Sequence, residues 1–389
     1  MRDRFAALGA RLEDAWAAAH REEEAFPDVA EEVLAGFDLG FDREAFLDDV
    51  LDPAAPQLAQ LAPVGVFGQP GFTVFHGDGF VVDIYYWLDS LSAIHNHPFC
   101  GVFTVLEGFS VHAEYAFEET RRFSERVRLG PIRLRALSVV EAGERRRFSL
   151  ARHPLVHALV HVPKPSLSMV VRTVRTEGYL RYLPPSLVLP IDAPNDRVSR
   201  QLAMLESLRQ AHDPRFPERA LAFLGRADLE AGFRALTPMW PDCDEDDRRT
   251  LLDALRPRHG DAVDAIAPAL EHATRTQAAD QLRRAMTASE DRLVATALML
   301  AEDRAQVLSL VGARADDPVA ALHRFFDDHA LFGSEVDQVV GHALVDGLAP
   351  PAIAARLRER LGPDAAIDEA ALGVIDPSSP MWALRAPTR

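Results

Sequence analysis

Between Gly71 and about Leu189 the chain breaks into short runs of β-branched, aromatic and aliphatic residues separated by turn residues. No other feature constrains the fold as much. Phe72-Thr73-Val74-Phe75, the turn Gly77-Asp78-Gly79 and Phe80 to Leu88 read as a hairpin. Gly101 to Leu106, Ser110 to Phe117, Val127 to Leu129, Arg133 to Val140 and Arg146 to Leu150 supply further strands. Val156 to Val162, Leu167 to Thr173 and Tyr179 to Leu183 complete the set. Strands this short and closely spaced bury their apolar faces by curling into a sandwich or barrel.

The flanks follow a different period. Ala6, Leu8, Leu12 and Trp16 recur at helical spacing, and Val29 to Leu34 and Ala45 to Leu51 read as two more short helices. A proline-bearing stretch from Pro53 to Pro70 ends that region. After Pro194 the pattern is helical again, clearest over Val198 to Ala211 with Leu202, Leu205 and Leu208 apolar. Asp242 to Asp247 reads as an acidic loop leading into a helix at Arg249 to Leu255. Asp261 to Ala273 and Ala278 to Ala288 read as separate helices. The expected fold class is therefore α+β: an N-terminal helical segment over 1–60, a β-barrel over 61–194 and an all-α domain over 195–389.

Composition narrows the partners. The chain carries 42 Lys and Arg against 59 Asp and Glu, a net charge of −17. Such a surface repels phosphate backbones and anionic lipid, so neither nucleic acid nor a membrane is an expected partner. The chain holds two cysteines, Cys100 and Cys243. They imply no disulfide framework and favour a reducing compartment, and with no apolar signal core at Met1 to Phe5 the expected location is the cytoplasm. Nothing in charge or patterning specifies an oligomeric state.

The chemistry concentrates in Ile94-His95-Asn96-His97-Pro98. Two residues two positions apart on a strand face the same way, which is what cis imidazole ligands of one metal require. Imidazole suits iron, zinc, copper and nickel. The apolar run Val81 to Leu88 leads up to the pair, and Cys100 to Glu107 follows it.

The block Ser92 to Pro98, followed by Phe103-Thr104-Val105-Leu106-Glu107-Gly108, resembles the first motif of the cupins. Its flavour is similar to the cysteine dioxygenase-like, thiol dioxygenase branch. The resemblance implies a cupin-type β-barrel, or jelly roll. Most cupins place a glutamate ligand seven residues before the motif glycine, and here that position is Gly101. Its loss implies a three-histidine site. Cys100, one residue away, faces the other side of the strand and reads as a core thiol.

The resemblance also directs attention to Arg152-His153-Pro154-Leu155-Val156-His157-Ala158-Leu159-Val160-His161 for the third ligand. The turn Pro163-Lys164-Pro165 and the strand from Leu167 match the hairpin that follows the family's histidine. The spacing to that turn selects His157, with His153 as second choice and His161 as a supporting or lining residue. The family's early-strand arginine is absent from Phe72 to His76, and Ser166 to Val170 lacks the histidine and tyrosine of its relay. Cysteine is accordingly not the expected substrate. Arg172 or Arg175 is the candidate carboxylate clamp, and Tyr86 the candidate pocket aromatic. His112 and Glu114 are candidates for orienting a ligand.

Three functions follow. The first is an iron(II) oxygenase that uses O2 on a small or peptide-derived thiol or amino-acid-like substrate. The second is an O2-independent cupin (an isomerase, lyase or cyclase) with another divalent metal, such as zinc, nickel or manganese, in the same cage. The third is a binding or scaffold protein acting through its helical half.

Overall fold

The computed structural model describes residues 1–55, 58–61, 68–89, 91–174, 178–191, 197–329, 331, 334–362, 367–368, 372, 375–377 and 379–385. The expected clamp residue Arg175 and the expected barrel limit at Pro194 lie outside these. The described chain falls into two compact units, residues 1–115 with 138–181 and residues 116–137 with 182–389.

The strands, in chain order, are β1 (Gly71–His76), β2 (Phe80–Trp87), β3 (His95–Asn96), β4 (Gly101–Glu107), β5 (Phe109–Phe117), β6 (Arg121–Arg122) and β7 (Arg128–Leu129). They continue with β8 (Ile132–Glu141), β9 (Arg145–Phe148), β10 (Val156–His161), β11 (Ser166–Thr173), β12 (Leu180–Leu183) and β13 (Leu187–Pro190).

In the first unit five of them form an antiparallel sheet in the order β1-β2-β11-β4-β9. Strand alternation gives this sheet two apolar faces. Val82, Ile84, Val102, Met169 and Val171 point outward, toward α1 (Arg2–Ala18) and α2 (Phe26–Ala35). Phe5, Leu8, Leu12 and Trp16 of α1 stand on one helical face and fill that layer together with Phe26 and Ala30 of α2. A third helix, α3 (Arg43–Leu51), starts at Asp42, whose carboxylate accepts from the Ala45 N–H at 2.8 Å, and adds Phe46 to the same core.

The inner face carries the residues between: Asp83, Tyr85 and Trp87 on β2, Ser168, Val170 and Arg172 on β11, and Gly101 and Phe103 on β4. Facing inward from a second antiparallel layer are β3, β10 and β5, with His157 directly opposite His95 on one side and Glu114 on the other. The sheet curls as a half-barrel.

In the second unit β6, β7 and β13 form an antiparallel ladder. Its helices are α4 (Arg197–Gln210), α5 (Phe216–Leu224), α6 (Leu229–Leu236), α7 (Glu245–His259), α8 (Ile266–Ala285), α9 (Ser289–Leu300), α10 (Arg304–Gly312), α11 (Pro318–Asp328), α12 (Glu335–Val345) and α13 (Pro350–Leu361). Leu183, Leu187, Leu224, Phe233, Trp240 and Leu255 share one core there.

Side-chain caps set several of these helix starts. Asp228, Asp244, Asp303, Asp317 and Ser334 each accept a hydrogen bond from the backbone N–H three residues on. This corrects the sequence expectation for the acidic run. Asp244 is an N-cap and Glu245, Asp246 and Asp247 form the first turn of α7, because carboxylates are stabilised at the positive end of the helix dipole. The two helices expected over 261–288 are likewise replaced by a 3₁₀ turn at Gly260–Ala265 and the single helix α8, since the polar residues between them contain no breaker.

Candidate metal centre

His95 and His157 are brought together by backbone pairing, as Cα partners on neighbouring strands. His97 was expected to share a strand with His95. Strand β3 instead ends at Asn96, two residues before Pro98, which has no N–H to continue a ladder. The His97 ring still turns inward, where it stacks on Phe148 with centroids 4.2 Å apart. The ligating atoms of His95, His97 and His157 all lie within 4.8 Å of one another.

The hydrogen bonds assign the tautomers. His95 Nδ1 stands 2.7 Å from the Ala93 carbonyl and donates to it, leaving Nε2 as the lone-pair nitrogen. His157 Nδ1 is 2.8 Å from His112 Nε2, and His112 Nδ1 faces Glu114 Oε1 at 3.4 Å. That approach is not a hydrogen bond, since His112 Nδ1 is buried without a hydrogen-bond partner, so the His112–His157 contact alone orients the ligand ring. With His157 donating its Nδ1–H to His112 Nε2, the His157 Nε2 lone pair points into the site. A hydrogen-bond acceptor behind a ligand imidazole fixes its orientation.

Burial holds the imidazoles neutral. It lowers the His95 pKa against the raising effect of the Ala93 carbonyl, and it pushes His97 and His157 well below the usual histidine range, with the neighbouring imidazoles adding to the effect. His112 is pushed down to about 3, first by burial and then by Arg146 and His95. Neutral imidazoles are the form that binds metal. The Nε2 atoms of His97 and His157 are 2.8 Å apart. His97 Nδ1 is buried without a hydrogen-bond partner, so nothing holds the His97 proton there: on Nε2 it bridges the two rings, and on Nδ1 it leaves two lone pairs that a cation would join. The donor set therefore fits a divalent metal.

Gly101 explains why no carboxylate joins the three histidines. A Cβ at this position would lie 2.3 Å from the Val171 carbonyl oxygen and 2.9 Å from the Phe148 ring. The backbones of β4 and β11 approach too closely there for any side chain. Gly101→Ala should therefore destabilise the protein by about 1–3 kcal/mol, the usual cost of overpacking. The urea midpoint reads this, and an unchanged midpoint would mean that the strands part at little cost.

The remaining candidates divide. Arg172 is buried, 5% exposed, on the inner face. Its Nε donates to Asp83 Oδ2 at 2.9 Å, its guanidinium lies over the Phe99 ring at 4.9 Å, and its buried Nη1 has no hydrogen-bond partner. His161 is buried and stacks on Trp87 at 4.4 Å, its Nδ1 2.8 Å from Ser110 Oγ. It supports the pocket wall and is not among the converging nitrogens. Tyr86 requires a correction. Alternation turns it outward into the layer beneath the N-terminal helices, and the neighbouring Tyr85 lines the pocket instead. His153 points away, with Nε2 3.5 Å from Asp28. Cys100 is fully buried in the outer core, and burial pushes its thiol up to about 11.

The three histidines line a small cavity of about 70 Å³ whose walls include Trp87, Phe99, Phe103, Phe148 and Tyr179. Tyr179 escaped the sequence reading because it falls outside both motifs. Burial pushes its phenol up to about 12, so it carries its proton at neutral pH. Asp83, buried between Thr73, Tyr85 and Arg172, was also missed; a lone aspartate in an apolar strand is the signal that would have found it.

A curled antiparallel half-barrel with three inward imidazoles fits a cupin metal site. No family model matches the chain, and no curated protein does. Among solved structures, one of an oxalate oxidase aligns with 33% of this chain at 15% identity and a TM-score of 0.20. The aligned part covers 57% of that chain. No helix among the described residues is long and apolar enough to cross a membrane.

Proposed function

We propose that this chain is a cupin-type oxygenase related to the thiol dioxygenases, which uses iron(II) and O2 to oxidise a small thiol or amino-acid-like substrate. The observation that carries the reading is the three-histidine cluster with Gly101 where a carboxylate ligand would stand. His95, His97 and His157 would hold the metal. Iron(II) held there would supply the redox chemistry.

The protein's own residues do the rest. His112 fixes the His157 ring, and Phe148 fixes that of His97. Trp87, Phe99 and Phe103 exclude water. Tyr179 lines the pocket and keeps its proton at neutral pH. No carboxylate is among the described lining residues, which suits metal-centred oxidation better than base-assisted hydrolysis. The modest cavity favours a small molecule over a peptide.

Metal analysis of protein purified without oxygen, followed by O2 uptake with a panel of small thiols, tests the reading. Iron together with thiol-dependent uptake is the expected result. Zinc or nickel with no uptake would discard the oxygenase and leave an O2-independent metalloenzyme. No metal at all in the barrel would discard both and favour a binding role.

A further inference from the structure

The helical unit holds a second pair of converging imidazoles that the reading above does not use. His323 lies on α11 and His342 on α12, and their rings stack 4.8 Å apart at an interplanar angle of 19°. The Nδ1 atoms face each other at 2.5 Å. Each ring has a carboxylate on its far side. His323 Nε2 is 2.7 Å from Asp346 Oδ1, and His342 Nε2 is 2.9 Å from Asp327 Oδ1. Arg356 pins Asp346 from behind, with Nη1 2.7 Å from Oδ2.

Ionised carboxylates only accept, so the ring protons sit on the two Nε2 atoms. With the ring protons there, the Nδ1 lone pairs of the two imidazoles face each other. Two such lone pairs repel at this distance, and a cation between them turns the repulsion into binding. A carboxylate behind each imidazole is what metal-binding histidines use to set tautomer and basicity. In the barrel, His112 behind His157 serves the same end.

We propose that His323 and His342 form a second site for a divalent transition metal, oriented by Asp346 and Asp327. The donors are two imidazole nitrogens, which select zinc, copper or nickel over the oxygen-seeking calcium and magnesium. The pair opens onto a cavity of about 580 Å³ that Glu335, Gln338 and Glu359 also line, so further oxygen donors and water are at hand. This site lies wholly in the helical unit and does not depend on the oxygenase reading.

Calorimetric titration of chelator-stripped full-length protein with zinc chloride tests it. Two equivalents are expected in the native protein. His323→Ala and His342→Ala should each remove one equivalent and leave the barrel's. Asp327→Asn, which keeps both imidazoles, should weaken that equivalent about 10- to 100-fold. Copper(II) in a His95→Ala/His157→Ala background should show nitrogen coupling from two imidazoles by electron paramagnetic resonance. A native protein that binds zinc only in the barrel, with titrations unchanged by His342→Ala, would overturn the proposal and leave a proton as the bridge. One equivalent lost only in His342→Ala would instead uphold it and reject the barrel site.

Discussion

His157→Ala is expected to abolish metal binding in the barrel, and metal-dependent turnover with it. Among the described residues three neutral imidazoles within 4.8 Å of one another form the candidate site, and Gly101 supplies no carboxylate there to compensate. His112→Phe should behave differently. It retains all three ligands but removes the hydrogen bond to His157 Nδ1, so affinity should fall about 10- to 100-fold while stoichiometry is retained at high metal. Elemental analysis and competition against a chelator read both effects. If His157→Ala held the barrel's equivalent as tightly as the native protein, His157 would not be a ligand.

Arg172→Met should cost about 3–5 kcal/mol of stability, because it strands the Asp83 carboxylate in the interior. Both side chains of this pair are almost fully buried, at 6% and 4% exposed, so solvent does little to screen the loss. Thr73 Oγ1 at 2.7 Å and Tyr85 at 3.3 Å would remain as neutral donors to a buried charge. The double variant Asp83→Leu/Arg172→Met removes both charges and should recover most of that stability. Equilibrium urea unfolding of the four proteins completes the cycle. A single variant as stable as the native protein would show that water reaches Asp83. A stable double variant whose KM rises while kcat holds would give Arg172 Nη1, the guanidinium nitrogen without a protein partner, a role in binding substrate.

Much of the architecture was legible in the chain because it is written in local periods. The switch from helical spacing to alternation near Gly71, and the helical spacing over 198–211, placed α1, α4 and most of the longer strands within a few residues, whereas α5, α6, β6 and β13 were not read. The errors fell where local chemistry competes. The acidic run at 242–247 looked like a loop by polarity, yet Asp244 is a good cap and Glu245, Asp246 and Asp247 are good first-turn residues. Tyr85 and Tyr86 could not be told apart by composition. One residue of register decides which faces the pocket and which the helices.

By itself the sequence supplied the donor types, their short spacing at His95 and His97, and a glycine at position 101 in place of a carboxylate, because each is a matter of residue identity over a few neighbouring positions. The resemblance pointed to His157 ahead of His153 and His161, and only tertiary structure brings that residue together with the pair. All three share strand parity, and it is the pairing of β10 with β3 and β5 that sets His157 opposite His95 and within reach of His112. The same holds for the second pair, since His323 and His342 lie on different helices and meet only when α11 and α12 pack. Contacts between residues far apart in the chain carry no local period, and these contacts decide where the imidazoles meet.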